Sequence, residues 1–342
     1  MRKARVAING FGRIGRAFFK AAAGNPAFEI VAINDLGDLA NLAYLLTYDT
    51  PYGRSPFSVA ASDTKLSVDG RDIAFFSERD PKLLPWGDTD IDVVIEATGA
   101  FTTYEKAHQH IEAGAKRVVI TAPAKEGDKI STIEGKTVLM GVNEEELKTC
   151  TITSNASCTT NAASPLIGIL KEAIGIEKAL LNTVHAYTAS QAIVDGPGKK
   201  DPRSGRAAAQ NIIPSSTGAA IATTKAHTDL QEKFDGIALR VPVVVGSIVD
   251  LTFVSSRDTT VEEVNEKLTA AAKSPRWEHI FAVTNEPIVS SDIIGAPYAA
   301  IADLSLTRVV GGNLVKVLAW YDNETGYAHT LSAHVAALAS HL

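Results

Sequence analysis

The sequence predicts an α/β protein of two domains, a doubly wound parallel sheet followed by an α+β domain with a mostly antiparallel sheet. Its 342 residues are about twice the usual size of one domain. Over the first 150 residues, short apolar strands alternate with helical stretches, a pattern that indicates parallel strands with helices on both faces. After Cys150 the strand-like runs become longer, which is typical of antiparallel sheets.

Each element is predicted from its own periodicity. In the first domain we expect strands at Arg5–Asn9, Glu29–Asn34, Asp92–Glu96 and Arg117–Thr121, and a helix at Ile14–Ala23. In the second domain, strand-like runs cover Ala179–His185, Ile237–Asp250 and Leu314–Trp320. Apolar residues at helical intervals predict a helix at the end of the chain, with Leu331, Val335, Leu338 and Leu342 on its packed face.

Composition excludes several classes of protein. A net charge of -6 gives no general attraction for nucleic acid or for anionic membranes. The most apolar stretch, Val241–Val249, is far shorter than the roughly 20 residues of a membrane span and is interpreted as a buried strand. The start of the chain lacks the long apolar core of a signal peptide, so we expect a cytoplasmic protein.

The cysteine content predicts reduced thiols. Only Cys150 and Cys158 are present, too few for a disulfide framework, and neither has companions at the spacing of zinc ligands. We therefore expect no metal site.

A glycine motif near the start indicates a dinucleotide site. Gly10, Gly12 and Gly15 lie between a predicted strand and a predicted helix, and Asp35 ends the next strand. The glycines permit close approach of the backbone to a pyrophosphate, the helix N-terminus offers N–H groups to that anion, and the carboxylate accepts from ribose hydroxyls. These features predict a Rossmann domain.

The cofactor of this domain is expected to be NAD. The Asp35 carboxylate would repel the 2′-phosphate of NADP. NADP stays open as a less favoured choice, because Leu36 and Gly37 leave room nearby and Arg79 could approach.

A second motif places Cys158 at the N-terminus of a helix. Helix-capping residues surround it in Ser154–Asn161, and an apolar helical stretch from Ala162 follows, with Pro165 expected in the first turn. Helix N–H groups and a nearby cation lower the pKa of a thiol. Cys158 is thus a candidate nucleophile, although a lone cysteine is more often a buried structural residue, the role we assign to Cys150.

Length arithmetic brings His185 to the same place. A helix from Ala162 to Ile174 is about 20 Å long. The strand Ala179–His185 spans about 23 Å, so His185 returns to the thiol if the strand packs back along the helix. An imidazole beside a thiol is suited to act as its general base.

Four segments of the chain resemble the phosphorylating glyceraldehyde-3-phosphate dehydrogenase family. They are Ala7–Arg16, Ala156–Asn161, His185–Thr188 and Trp320–Tyr327, and the likeness runs from end to end. It implies a glycolytic reaction in which D-glyceraldehyde 3-phosphate, inorganic phosphate and NAD give 1,3-bisphosphoglycerate and NADH. In that reaction Cys158 is the nucleophile, His185 is the base, and a hemithioacetal and a thioester are formed in turn.

The resemblance also implies binding residues and domain boundaries. The cofactor residues would be Gly10, Phe11, Gly12, Arg13, Ile14, Asp35, Arg79, Thr98, Thr121, Asn323 and Tyr327. The substrate and phosphate residues would be Ser157, Thr159, Thr188, Arg206, Thr217, Gly218 and Arg240. The NAD-binding domain would comprise residues 1–157 and 323–342, and the catalytic domain residues 158–322.

Three further features bear on the resemblance. Many family members carry a second cysteine four residues after the nucleophile, where this chain has Ala162, so a disulfide within that turn is ruled out. The residues after Pro242 also depart from the family, which leaves details of that sheet open. The loop 195–206 matches one that reaches a neighbouring subunit, which implies a homotetramer.

Two alternatives remain at this stage. One is a related aldehyde dehydrogenase of the same architecture, acting on erythrose 4-phosphate or on a semialdehyde of amino-acid synthesis. The other is a catalytically silent nucleotide-binding protein.

Overall fold

The computed structural model describes residues 2–125, 133–198 and 201–342. The chain divides into two compact units, one of Met1–Ala156 with Leu331–Leu342 and the other of Ser157–Thr330. Among the described residues, none of the helices has the length and apolar character that crossing a bilayer requires.

The first unit is built on one large sheet. Its elements are β1 (Ala4–Asn9), α1 (Arg13–Ala21), β2 (Phe28–Asn34), α2 (Leu39–Thr47), β3 (Tyr48–Asp49), β4 (Gly53–Arg54), β5 (Val59–Ser62), β6 (Lys65–Val68), β7 (Arg71–Phe76), β8 (Val93–Glu96), α3 (Tyr104–Glu112), β9 (Arg117–Ile120), β10 (Gly135–Thr137) and β11 (Ile152–Ser154). The strand order is β10-β11-β9-β8-β1-β2-β7-β6-β5, parallel from β10 to β7 and antiparallel beyond. The doubly wound sheet that the alternation predicted is confirmed.

The central strands of this sheet place three polar residues side by side. Strands β1 and β8 are almost wholly buried, as expected for a parallel sheet with both faces covered. Asn9 at the end of β1 pairs in register with Asn34 of β2 on one side and with Glu96 of β8 on the other. The loops that begin at Gly10, Asp35 and Ala97 therefore leave the sheet at the same edge.

The second unit contains the mixed sheet. Its elements are α4 (Cys158–Ile174), β12 (Lys178–Ala186), β13 (Ile213–Ser216), α5 (Ala219–Ala226), β14 (Phe234–Val241), β15 (Ser247–Val254), α6 (Val261–Ala272), β16 (Phe281–Thr284), β17 (Ala300–Asp303), β18 (Arg308–Val310) and β19 (Leu314–Tyr321). The strand order is β13-β14-β12-β15-β19-β17-β16. Only β12–β14 and β16–β17 pair in parallel along this order, which confirms the mostly antiparallel sheet.

Two local predictions for this unit were wrong. The stretch Val241–Val249 is not one strand, because β14 ends at Val241 and β15 starts at Ser247. Pro242 has no N–H for a ladder, and Gly246 takes a φ of +95°, so the chain turns between them. Pro165 lies two turns inside α4, since the helix already begins at Cys158; burial of the surrounding helix offsets the missing hydrogen bond.

The terminal helix is α7, which runs over Thr325–Ala339. Leu331, Val335 and Leu338 are fully buried, which confirms the periodicity argument for them. Leu342 lies beyond the helix and is exposed, so its predicted packing was wrong. Residues from Leu331 onward belong to the first unit, where His334 Nε2 lies 2.8 Å from Thr153 Oγ1.

Candidate active site

The structure brings Cys158 and His185 together within the second unit. Cys158 is the first residue of α4, and its Sγ lies 3.3 Å from His185 Nε2. Strand β12 runs back so that His185, its last residue but one, returns to the start of the helix. Ser157 caps the helix by accepting from the Thr160 N–H at 3.1 Å. The backbone before the cap is left-handed at Ala156, with a φ of +54°.

His185 is held by contacts within its own strand β12 and with the neighbouring strand β14. Its ring is 3% exposed, and Nδ1 lies 2.6 Å from the Ala186 carbonyl oxygen. Arg240, directly opposite in β14, places Nη1 2.6 Å from Nδ1 and donates to the same carbonyl at 3.0 Å. Nδ1 thus faces both an acceptor, the Ala186 carbonyl, and a donor, Arg240. If Nδ1–H donates to Ala186, Nε2 offers its lone pair to the thiol, the arrangement that a general base needs.

Burial favours the neutral form of both groups. It raises the pKa of the Cys158 thiol, against the opposing effects of the Arg240 charge and the Thr159 N–H. Burial, reinforced by Arg240, lowers the pKa of His185 to about 3. The lowered thiol pKa expected from the helix N-terminus was therefore wrong, because desolvation outweighs the opposing effects of Arg240 and of the N–H groups at the helix start.

Tyr321 is a third residue at this site, and sequence reasoning gave it no role. Its hydroxyl lies 2.9 Å from Thr159 Oγ1 and 2.8 Å from Thr183 Oγ1. Its ring meets His185 edge-on, with 5.9 Å between ring centroids. Tyr321 ends β19 with its side chain on the buried face, so strict alternation along that strand was the available signal.

Cys150 lies in the first unit, whereas Cys158 and His185 belong to the second. Its side chain is buried, and burial raises the pKa of its thiol. The neighbouring groups that act on it are Thr149, Lys136 and Arg117, with no imidazole among the described contacts. The structural role expected for Cys150 agrees with these surroundings.

The predicted anion-binding residues fall into two groups. Arg240, Ser157 and Thr159 lie at the Cys158–His185 pair, although the Ser157 hydroxyl is engaged in capping and that of Thr159 contacts Tyr321. Thr188 follows β12 closely, and its Oγ1 lies 2.9 Å from Ser190 Oγ.

The other group lies around α5 and the preceding loop. Gly218 is the exposed N-cap of α5, and Thr217 Oγ1 accepts from the Ala219 N–H at 3.1 Å. Arg206 is exposed and forms an ion pair with Asp195 at 3.0 Å, so its guanidinium is engaged within the loop. Lys199 and Lys200 of that loop lie outside the described residues.

A cavity of about 420 Å³ in the first unit collects five of the eleven predicted cofactor residues. Its lining includes Gly10, Gly12, Asp35, Arg79 and Thr98. A Cβ on Gly12 would meet no atom within 4 Å, so this glycine leaves space open to a ligand. The shape and the donors at this edge of the sheet fit a dinucleotide.

Asp35 is oriented by the backbone. One carboxylate oxygen accepts from the Phe11 N–H at 2.6 Å and the other from the Gly37 N–H at 2.7 Å. Each oxygen keeps a further acceptor site, which is what ribose hydroxyls require.

The remaining predicted cofactor residues of the first unit do not line this cavity. The Phe11 ring is fully buried, Ile14 is half-buried in α1, and Arg13 pairs with Asp49 at 3.0 Å. Thr121 donates from N and from Oγ1 to the Glu96 carbonyl.

Asn323 and Tyr327 belong to the second unit and are both buried. The Asn323 side-chain oxygen accepts from the Gly246 N–H and the Ser247 hydroxyl, each at 3.1 Å. These two contacts engage only the side-chain oxygen of Asn323.

Sequence reasoning missed Asn9 and Asn34, which also line the cavity. Each directly precedes a residue that was assigned, and their position at strand ends beside the glycine motif was the signal. In the described part of the chain, no group of three His, Cys, Asp or Glu residues could hold a metal ion.

Comparison with known proteins gives two family-model matches. Residues 4–104 match the NAD binding domain of glyceraldehyde 3-phosphate dehydrogenase, and residues 157–323 match its C-terminal domain. The glyceraldehyde-3-phosphate dehydrogenase of Thermotoga maritima is 50% identical over 329 residues, covering 95% of this chain and 96% of the relative. Glyceraldehyde-3-phosphate dehydrogenase 1 of Streptomyces avermitilis is 49% identical, with 96% of each chain covered. The enzyme of Geobacillus stearothermophilus is 46% identical, with 97% and 98% covered. The chain therefore belongs to the glyceraldehyde-3-phosphate dehydrogenase family of NAD-dependent oxidoreductases.

Proposed function

We propose that this chain converts D-glyceraldehyde 3-phosphate, inorganic phosphate and NAD to 1,3-bisphosphoglycerate and NADH, with Cys158 as nucleophile and His185 as base. The observation that carries the proposal is the 3.3 Å contact between Cys158 Sγ and His185 Nε2 at the start of α4. A nucleophile within hydrogen-bond reach of a base that is itself oriented by a third group is the arrangement of covalent catalysis. Here the third group is the Ala186 carbonyl.

Proton movement follows from the neutral state of the pair. As Sγ attacks the aldehyde carbon, the thiol proton passes through Nε2 to the carbonyl oxygen and gives a hemithioacetal. When the carbonyl re-forms, Nε2 takes the hydroxyl proton. NAD, when bound, supplies the hydride acceptor for this oxidation. Cys158 then holds the acyl group as a thioester, and attack by inorganic phosphate forms the acyl phosphate and frees the thiol.

Binding of the anions is assigned to groups around this pair. We place the substrate phosphate with Arg240 and Thr188, because Arg240 is the cation in contact with His185. An anion there also counteracts the charge that depresses the basicity of His185. We place the attacking phosphate with Ser157, Thr159, Thr217 and Gly218, with Arg206 nearby, on the family resemblance.

The cofactor assignments rest on the cavity of the first unit. Gly10, Gly12, Asp35, Arg79 and Thr98 would hold the dinucleotide there. Phe11, Arg13, Ile14 and Thr121 do not line this cavity and are assigned on the family resemblance. The resemblance adds Asn323 and Tyr327, and with them the boundaries of 1–157 with 323–342 for the NAD-binding domain and 158–322 for the catalytic domain.

The chain is proposed to assemble as a homotetramer. One face of the second unit's sheet carries apolar side chains that are exposed, Leu180 on β12 at 65% and Ile237 on β14 at 55%. Ile193, Val194 and Ile212 are likewise 70% or more exposed. A sheet face turned to water is ordinarily polar, so apolar residues there support a contact with a second copy.

The assembly is tested by sedimentation of the Leu180→Asp/Ile237→Asp double variant. We expect smaller particles than for the unaltered protein. Leu83→Asp, at an exposed apolar residue of the first unit, is the control and should leave the mass unchanged. Equal masses for all three proteins would refute the proposed surface.

The reaction is tested by the rate of NADH formation with D-glyceraldehyde 3-phosphate, with and without inorganic phosphate. We expect a phosphate-dependent rate that Cys158→Ala abolishes and Cys150→Ala preserves, with NAD binding intact in both variants. Activity surviving in Cys158→Ala would refute the nucleophile. A higher rate with erythrose 4-phosphate would point to the related sugar-phosphate dehydrogenase, and a folded protein inactive with both substrates to a silent nucleotide-binding protein.

A further inference from the structure

A buried carboxylate lies directly beneath the dinucleotide cavity of the first unit. Glu96 ends β8 beside Asn9 of β1, and its side chain is 2% exposed. It was in none of the sets of residues predicted to bind the cofactor, and it does not line the cavity. A buried charge is costly unless its hydrogen bonds are satisfied, so its presence calls for a reason.

Four hydrogen-bond donors converge on this carboxylate. Oε1 accepts from the Thr98 N–H at 2.9 Å and from the Thr98 hydroxyl. Oε2 accepts from Asn9 Nδ2 at 2.6 Å and from His110 Nε2 at 3.1 Å. Among the described residues, no lysine or arginine is paired with it.

The orientation of Asn9 is fixed from outside the cluster. The Glu78 N–H donates to Asn34 Oδ1 at 2.9 Å, which leaves Asn34 Nδ2 facing Asn9. That nitrogen donates to Asn9 Oδ1 at 2.7 Å, so Asn9 Nδ2 must face Glu96.

The protonation of His110 is fixed in the same way. Trp86 Nε1–H can only donate, and it lies 3.0 Å from His110 Nδ1. Nδ1 is therefore an acceptor, the imidazole is neutral, and Nε2 carries its single proton. All four groups can thus donate to Glu96, whose carboxylate is their common acceptor.

The backbone of Glu96 extends these connections to the loop that follows strand β9. The Glu96 carbonyl oxygen accepts from the Thr121 N–H at 3.0 Å and from the Thr121 hydroxyl at 3.1 Å. Thr98 Oγ1 in turn accepts from the Ala100 N–H at 3.1 Å. The Thr98 hydroxyl therefore donates to Glu96 and shapes the loop, instead of offering its proton to a ligand.

We propose that Glu96 is a positioning residue for NAD, a buried carboxylate that fixes the strand-end loops beginning at Gly10, Asp35 and Ala97 into one cofactor-binding surface. Glu96 binds Asn9, which precedes the loop at Gly10, and Thr98, which lies in the loop that begins at Ala97. Asn9 in turn accepts a hydrogen bond from Asn34, the residue that precedes Asp35. Its role is pre-organisation of the site before the dinucleotide binds.

The test is Glu96→Gln, which keeps the size and replaces one acceptor oxygen by a donor. In one orientation of the new amide, its NH₂ group faces the Thr98 N–H donor. In the other orientation it faces the donors Asn9 Nδ2 and His110 Nε2. We expect the Kd for NAD, measured by calorimetry on the full chain, to rise at least about tenfold, the effect of one lost buried hydrogen bond. The kcat at saturating NAD should change less than about threefold.

Asp92→Asn is the matched control, because Asp92 is a buried carboxylate that directly precedes the opposite end of the same strand. It accepts from the Arg5 N–H at 2.8 Å and pairs with Lys116 at 2.7 Å. Its loss should lower the urea midpoint without changing the Kd for NAD. Equal Kd values in the two variants would overturn the proposal and leave Glu96 a purely structural residue.

A double variant covers the case in which Glu96→Gln does not fold. In Asn9→Asp/Glu96→Gln, the new carboxylate at position 9 accepts from the new amide at position 96, so part of the network is restored. We expect this variant to fold and to bind NAD at least threefold more tightly than Glu96→Gln, or within about tenfold of the unaltered protein if the single variant is unfolded. A folded double variant with no measurable NAD binding would overturn the proposal.

Discussion

Acidification from pH 7 to pH 5 will destabilise the folded chain, and His334 accounts for a separable share of that loss. His334 lies on α7, is fully buried, and contacts Thr153 Oγ1 through Nε2. Burial lowers the pKa of its imidazole from 6.5 to about 4, against a smaller opposing effect of the Val138 backbone.

The sign and size of the effect follow from this shift. Between pH 6.5 and pH 4 the unfolded chain binds a proton at position 334 that the folded chain does not bind, so stability falls as the pH falls. Integration from pH 7 to pH 5 gives a loss of about 2 kcal/mol from this residue. His185 and His227, whose pKa values burial lowers to about 3 and about 4, add losses of the same sign.

The assay is urea unfolding followed by tryptophan fluorescence at both pH values and at one protein concentration. His334→Gln keeps an amide near Thr153 and cannot titrate, so its loss between pH 7 and pH 5 should be about 2 kcal/mol smaller than that of the unaltered protein. His279→Gln, at a side chain that is 88% exposed, should leave the loss unchanged. An equal loss in the unaltered protein and in His334→Gln would refute the argument.

Three further predictions concern glycine, capping and cofactor choice. Gly10→Ala should lower the free energy of unfolding in urea by more than about 2 kcal/mol, because φ is +97° and the new Cβ would lie 2.7 Å from the Ala97 carbonyl carbon. Gly12→Ala should keep its stability but lose NAD binding in calorimetry. Ser157→Ala removes the cap of α4 and should cost about 1 kcal/mol in the same unfolding assay. Asp35→Asn removes the charge that repels a 2′-phosphate and should lower the ratio of the Kd for NADP to that for NAD roughly tenfold.

Local patterns were sufficient where the chemistry is local. The alternation of strands and helices predicted the parallel sheet, and the glycines with Asp35 predicted the cavity that they line. The capping residues before Cys158 predicted a helix start at the thiol. The hydrophobic pattern gave a wrong prediction at Val241–Val249, because this continuous apolar run contains a turn that Pro242 and Gly246 enforce.

The sequence by itself determined the fold class, the glycine-rich cofactor loop and the pairing of Cys158 with His185, because each depends on spacing and backbone conformation within short stretches. Only the tertiary structure decided the charge states, since the pKa values of Cys158 and His185 depend on burial and on Arg240, a residue 55 positions away from His185. It also decided the roles of Tyr321 and Glu96. Their hydrogen-bond partners come from strands and helices distant along the chain, so no local pattern could reveal them.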